Sequence, residues 1–169
     1  MVNFQKEHYS YEDMLEIMRL LRAPGGCPWD AEQTHESIRR NFLEETCEAV
    51  EAIDNHDMPA LREELGDVLM QVIFHAQMEA EVGGFTMQDV IDGLCRKLVY
   101  RHPHVFSDVK VANSDEVLTN WEALKRQEKA QRSTADAIDA VAKTLPALWR
   151  AEKMESKAAK AGFAWPEGS

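Results

Sequence analysis

Large apolar residues recur at intervals of three and four along almost the whole of this chain, rather than at every second position. Residues with that spacing lie on one face of an α-helix, whereas a half-buried strand alternates with a period of two. In the first segment this spacing is shown by Met14, Ile17, Met18 and Leu21. Because no segment has convincing strand character, we predict an all-α fold in the form of an antiparallel helical bundle.

Capping residues and helix breakers divide the pattern into separate helices. Ser10 and Asp57 can each accept a hydrogen bond from the first turn of a helix, Thr86 with Asp89 resembles a capping box, and Gly83 favours a stop. The predicted helices cover about residues 11–22, 37–53, 58–81, 86–101, 114–131 and 145–161. Residues 23–30, which include Trp29, and 102–113 are predicted to be loops, and 132–139 a linker.

Charge and cysteine content exclude several classes of protein. The net charge is −11 and there is no run of lysine and arginine, so we expect no polymeric nucleic acid as a partner. The three cysteines are widely spaced without a CxxC pair, which favours a reducing, cytoplasmic setting over a disulfide framework or structural zinc. Neither a signal sequence nor an apolar stretch of membrane-spanning length is evident, so we expect no membrane partner.

Acidic residues occur in two matched pairs on the second and third predicted helices. Glu45 and Glu48 are three residues apart, as are Glu64 and Asp67, and this spacing places each pair on one helical face. If the two helices are antiparallel across the turn at residues 55–57, the pairs lie at matching heights, roughly 15 Å from the turn at 1.5 Å per residue. All four carboxylates are therefore expected to face one another.

Four converging carboxylates without a compensating cation repel one another, which implies a bound metal ion. All-oxygen ligands favour Mg²⁺, with Mn²⁺ as a substitute. The alternative is that these are ordinary solvated side chains on helix surfaces. The flanking apolar residues Leu43, Val50 and Leu65 place the acids at the edge of the buried stripe, which favours the metal site without excluding that alternative.

Five ordered motifs resemble those of the MazG nucleoside triphosphate pyrophosphohydrolases. LEETCEAVEAI at 43–53 and REELGDVLMQVIFHAQ at 62–77 look like the EExxE and ExxD motifs of that family. GCPWDAEQT before them, and RHPHVF at 101–106 and WEALKRQEK at 121–129 after them, stand in the family's order. The resemblance covers about residues 10–165.

The resemblance implies an all-α NTP pyrophosphatase bundle, completed by dimerisation or a higher homo-oligomer, that cuts a nucleoside triphosphate into monophosphate and pyrophosphate with magnesium. The implied metal ligands are Glu45, Glu48, Glu64 and Asp67, and Glu44 is the further motif acid that orients water or a ligand. The implied substrate contacts are Asn41, Lys97, Arg101 and Trp121. Trp29 can stack on a base or serve as a hydrophobic plug, and Trp121 can equally belong to the core.

Residues 1–131 are interpreted as the MazG-like domain, and 132–169 as a linker, helix and tail. LPALWRAEKM at 145–154 and AGFAWP at 161–166 echo the start of the first motif set, as in the family's two-module members. The expected role is house-cleaning of the nucleotide pool. Two alternatives are a non-catalytic dimerisation or regulatory module and a phosphoribosyl-ATP pyrophosphohydrolase-like enzyme.

Overall fold

The computed structural model describes residues 4–128 and 133–163, and within these ranges the chain forms helices and no strands. The helices are α1 (Tyr11–Arg22), α2 (Pro28–Glu32), α3 (Arg39–Asp54), α4 (Met58–Glu81), α5 (Met87–Arg101), α6 (Pro103–Phe106), α7 (Ser114–Glu128), α8 (Thr134–Asp139) and α9 (Ala147–Ala159). The chain divides into two compact units, Met1–Leu94 and Cys95–Ser169. The predicted all-α fold is confirmed.

The predicted capping residues begin and end the long helices. The Ser10 hydroxyl accepts a hydrogen bond from the Asp13 amide, and the Asp13 carboxylate accepts one from the Ser10 amide. Asp57 caps α4 by accepting from the Ala60 amide at 3.1 Å. Gly83 follows α4 with φ of 74°, a left-handed conformation that glycine adopts without strain.

Three short helices, α2, α6 and α8, differ from the predicted loops and linker. Trp29 lies on α2 rather than in a loop, because Pro28 suits the first turn of a helix. In the segment interpreted as a linker, Ser133 and Asp136 form a capping box that starts α8. Helices of four to six residues are too short to show a period in the sequence. The predicted domain boundary at 131/132 and the Trp165 motif lie outside the described residues and stay predictions.

In the first unit, α3 and α4 pack against each other as an antiparallel hairpin, and α1 packs on α4. The turn between α3 and α4 has three residues, and His56 adopts φ of 54° there. The buried residues of α3 are Ala49 and Ala52, whose short side chains let the helix approach α4 closely. The core consists of Met18, Ile38, Ile73, Phe74 and Met78, with Met14, Leu15, Met70 and Met87 packed around it.

Arg22, at the end of α1, connects the segment that precedes α3 to the end of α4. Its Nε and Nη2 atoms donate to the Glu81 carboxylate, each at 2.9 Å. Its Nη1 atom donates to the carbonyl oxygens of Asp30 at 2.6 Å and Gln33 at 3.2 Å. The guanidinium also lies over the Phe74 ring, 5.3 Å from the centroid, and the side chain is only 7% exposed. One buried side chain thus holds three parts of the unit together.

The second unit contains α8 packed on α9, with Ala137 and Val141 buried. Across the described residues of both units, every helix is too short or too polar to cross a membrane.

Candidate active site

Three of the four predicted carboxylate ligands come together in the first unit. Glu45 and Glu48 lie one turn apart on α3, and Glu64 faces them from α4. One carboxylate oxygen of each lies within 4.8 Å of the other two. Glu45 and Glu64 are half-buried, whereas Glu48 is exposed, so the cluster is open to solvent on one side.

Asp67, the fourth predicted ligand, is not part of this group of oxygens but acts on it electrostatically. Burial, followed by the charges of Asp67, Glu48, Glu64 and Glu44, raises the pKa of Glu45 above its usual range. Burial, followed by the charges of Glu48, Asp67 and Glu63, raises the pKa of Glu64. Neutralising this repulsion is what a divalent cation would do.

The chemistry of the donors fits a hard cation. Carboxylate oxygens suit Mg²⁺ and Mn²⁺. Of the two donors on α3, Glu45 is half-buried and Glu48 is exposed. Mg²⁺ keeps several water ligands and accepts phosphate oxygens beside a few carboxylates. A cluster with one open side can accommodate both.

The remaining predicted residues of the first unit lie on α2 and α3. Glu44 is exposed, and its carboxylate accepts a hydrogen bond from Arg40 Nε at 2.9 Å. Asn41 is half-buried one turn before Glu45, so it shares the face of α3 that carries the cluster. Trp29 is 57% exposed on α2, which disfavours the plug interpretation and leaves its indole accessible.

In the second unit, Arg101 and Trp121 are in contact. The Arg101 side chain is 7% exposed, donates to Glu128 at 2.7 Å and lies 5.1 Å from the centroid of the Trp121 ring. Lys125 lies 4.5 Å from the same centroid. Lys97 is half-buried one turn before Arg101 on α5. The roles of Lys97, Arg101 and Trp121 toward substrate stay predictions.

Glu128 and Lys125 were not indicated by the sequence as partners of this cluster. The four-residue spacing of Trp121 and Lys125 on a predicted helix was an available signal for one of them. The contact between Arg101 and Glu128 joins residues 27 apart, for which helical periodicity provides no signal.

Residues 33–106 match the family model described as the MazG nucleotide pyrophosphohydrolase domain. All three clustered glutamates lie inside that range. This chain carries a MazG domain.

Known proteins with similar sequences carry the same family name or activity. The chain is 48% identical, over 90% of its length, to a nucleoside triphosphate pyrophosphohydrolase of Escherichia coli strain K12. It is 44% identical, over 94% of its length, to the nucleoside triphosphate pyrophosphohydrolase/pyrophosphatase MazG of Thermotoga maritima. The chain covers 58% and 61%, respectively, of the lengths of these curated relatives.

A solved structure supports the fold of the MazG domain. The crystal structure of a mazG-related protein from Thermotoga maritima superposes with a TM-score of 0.57 at 28% sequence identity. The similarity covers 68% of this chain and 98% of that one. The helical architecture of most of this chain therefore resembles one that has been solved.

The carboxylate cluster of the MazG domain is expected to destabilise the protein when no cation is present. Because the pKa of Glu45 is raised in the folded state, the unfolded chain loses this proton at a lower pH. The stability of the fold therefore falls as the pH rises from below the usual glutamate pKa through the raised value. We expect Glu45→Gln to raise the Tm by a few degrees at neutral pH in the presence of a chelator.

Thermal unfolding by circular dichroism measures this effect, and Glu51→Gln is the matched control because Glu51 is an exposed residue of the same helix. The Tm difference between Glu45→Gln and the wild type should vanish at a pH below the usual glutamate pKa, where both states are protonated. A Tm below that of the wild type at neutral pH would contradict the expectation.

Proposed function

We propose that this chain hydrolyses nucleoside triphosphates to nucleoside monophosphates and pyrophosphate with the aid of Mg²⁺, or of Mn²⁺ as a substitute. The observation that carries the proposal is the meeting of three carboxylate oxygens within 4.8 Å, inside the range that matches the MazG domain. Two relatives above 40% identity are named nucleoside triphosphate pyrophosphohydrolases, which supports the same reaction.

Glu45, Glu48 and Glu64 would hold the cation, with Asp67 beside them. When bound, Mg²⁺ supplies charge neutralisation of the phosphate oxygens and lowers the pKa of a coordinated water. The half-buried Glu45 and Glu64 keep their oxygens in place through helix packing, and the exposed Glu48 marks the side from which the triphosphate enters. Glu44, which precedes Glu45 on α3, orients the attacking water or a ligand. Its carboxylate is itself oriented by the hydrogen bond that it accepts from Arg40.

The family resemblance implies further residues that contact substrate. Asn41 lies on the face of α3 that carries the cluster and donates to or accepts from the nucleotide, and the exposed Trp29 indole offers a surface on which a base can stack. Lys97 and Arg101 neutralise phosphate oxygens, and Trp121 contacts the nucleotide, as the family resemblance implies. The Arg101–Glu128 ion pair keeps the guanidinium oriented against Trp121.

The functional form is proposed to be a cytoplasmic homodimer or higher homo-oligomer. Large apolar residues are exposed on α3 and α4, namely Leu43, Val50, Ile53, Leu65 and Leu69. Several exposed apolar residues on two packed helices suit an interaction surface, and pairing two helical hairpins would form a four-helix bundle. Dimerisation would then complete the bundle in which the carboxylate cluster lies.

A screen for pyrophosphate release tests the proposed reaction on this chain. Common and damaged nucleoside triphosphates are incubated with and without Mg²⁺, and pyrophosphate, inorganic phosphate and monophosphate are measured separately. We expect Mg²⁺-dependent release of pyrophosphate and monophosphate in equal amounts, with damaged nucleotides among the best substrates if the role is house-cleaning.

Other outcomes of the screen would overturn the proposal. Release of inorganic phosphate alone would indicate cleavage of the terminal phosphate. Nucleotide binding without turnover would support the non-catalytic dimerisation or regulatory module, and turnover of phosphoribosyl-ATP alone would support the related enzyme class.

A further inference from the structure

Two imidazole rings of the first unit meet head to head, outside the carboxylate cluster. The Nδ1 atoms of His35 and His75 are 2.7 Å apart, and the rings are parallel within 6° with centroids 5.0 Å apart. The other ring nitrogen of His35, Nε2, lies 2.8 Å from Glu79 Oε1. His35 precedes α3, whereas His75 and Glu79 are one turn apart on α4.

The hydrogen bonds determine which nitrogens carry protons. A carboxylate accepts hydrogen bonds, so His35 Nε2 carries a proton and donates it to Glu79. In neutral His35 the Nδ1 atom is then an acceptor, and His75 Nδ1 donates to it. Burial lowers the pKa of His75, and the positive charge that His35 carries when it is protonated lowers this pKa further, so His75 is favoured in its neutral form. A single proton therefore lies between the two facing nitrogens.

We propose that His35 and His75 bind a divalent cation of the Zn²⁺ class through their facing Nδ1 atoms. Neutral imidazole nitrogens are preferred ligands of Zn²⁺, Ni²⁺ and Cu²⁺ and poor ligands of Mg²⁺. A histidine that ligates a metal usually donates its other ring N–H to a carboxylate, and Glu79 accepts that bond from His35. Water molecules would complete the coordination.

The surroundings of the pair permit the movement that a cation requires. Zn–N bonds of about 2.0–2.1 Å need about 4 Å between two nitrogens that face each other in line, so the two Nδ1 atoms, now 2.7 Å apart, must separate by more than about 1 Å or tilt toward a shared ligand position. The His35 side chain is 41% exposed and belongs to the segment between α2 and α3, so it can move outward and give solvent access. His75 is held in α4, with the Phe42 ring 5.7 Å away.

When both rings are neutral, the protons balance without net release to solvent, and a protonated His35 would release one proton on binding. On binding, His75 moves its proton from Nδ1 to Nε2, and His35 keeps its proton on Nε2 toward Glu79. The bound cation would connect the segment before α3 directly to α4. The pair differs from the carboxylate cluster in donor type, so Mg²⁺ would not compete for the two imidazole nitrogens.

Zinc titration of tag-free protein saturated with Mg²⁺ tests the proposal, by calorimetry and by the absorption of Co²⁺ as a spectroscopic substitute. We expect the wild type to bind one Zn²⁺ ion per chain. Its affinity for Zn²⁺ should be roughly tenfold weaker or worse in His35→Gln and in His75→Gln. Glu79→Gln should weaken binding by roughly 10- to 100-fold, as loss of a carboxylate behind a ligating histidine usually does. His102→Gln is the matched control, because His102 and His104 are another neighbouring pair, with ring centroids 5.7 Å apart.

Unchanged zinc affinity in both His35→Gln and His75→Gln would overturn the proposal, as would the absence of zinc binding by the wild type. Loss of zinc binding in His102→Gln would place the zinc site elsewhere and would also overturn the proposal. Because His35 is the more exposed partner, His35→Gln is the decisive variant if His75→Gln fails to fold. Pyrophosphate release with Mg²⁺ should persist in His35→Gln, which separates this test from that of the proposed reaction.

Discussion

Pyrophosphate release with Mg²⁺ should fall by roughly 100-fold or more when Glu48 is replaced by Gln. The substitution keeps the size of the side chain but removes one of the three carboxylates whose oxygens lie within 4.8 Å. Because Glu48 is exposed, it contributes little to packing, and the folded protein should tolerate the change. Steady-state kinetics with the best substrate of the screen measure the loss.

Glu51→Gln is the control for that experiment, since it removes the same charge one turn further along α3, outside the cluster. It should retain near wild-type turnover. Binding of Mn²⁺, measured by electron paramagnetic resonance, should weaken in Glu48→Gln and remain unchanged in Glu51→Gln. Equal turnover of Glu48→Gln and wild type would remove the carboxylate cluster from the mechanism.

The largest effect on stability is expected from Arg22→Ala, at about 3 kcal/mol of unfolding free energy. The substitution leaves the Glu81 carboxylate and the carbonyl oxygens of Asp30 and Gln33 without their donor. It also removes the guanidinium from the face of Phe74, next to the core. Denaturation with urea gives the free energy of unfolding. The dependence of that free energy on urea concentration is measured for the wild type and for the variant separately.

Arg19→Ala is the matched control on the same helix. Arg19 forms an ion pair with Glu16 at 2.6 Å, but its side chain is half exposed and, among the described residues, bonds to no other helix. Loss of such a surface pair should cost less than about 1 kcal/mol. If Arg22→Ala lowers the free energy of unfolding no more than Arg19→Ala does, the connection that Arg22 makes between α1, the following segment and α4 does not stabilise the fold.

The long helices were predictable because each repeats its apolar face over several turns. Short helices such as α2 and α8 have too few residues for a period, and only local features such as Pro28 or the Ser133–Asp136 capping box indicate them. Helix ends were predictable where a capping side chain acts on its own neighbours, as Asp57 does on Ala60.

The carboxylate cluster was predictable in outline because two regular helices joined by a short turn place residues at matching heights. Glu64 and Asp67 are spaced to lie on the same face of the predicted helix, so spacing alone could not show which of them approaches Glu45 and Glu48. In the structure, only Glu64 joins the group of close oxygens. The His35–His75 and Arg22–Glu81 contacts join residues 40 and 59 apart. Contacts of that kind depend on tertiary packing, for which one sequence provides no periodic signal.

The three-residue turn between α3 and α4 has a consequence for the order of folding. Contacts between residues close in sequence form faster than distant ones, because less chain entropy is lost in closing the loop. The hairpin that gathers the glutamates should therefore form early, and the contact between Arg22 and Glu81, 59 residues apart, should form later. Carboxylates that repel one another would then come together early, so divalent cations should accelerate folding and not only stabilise its product.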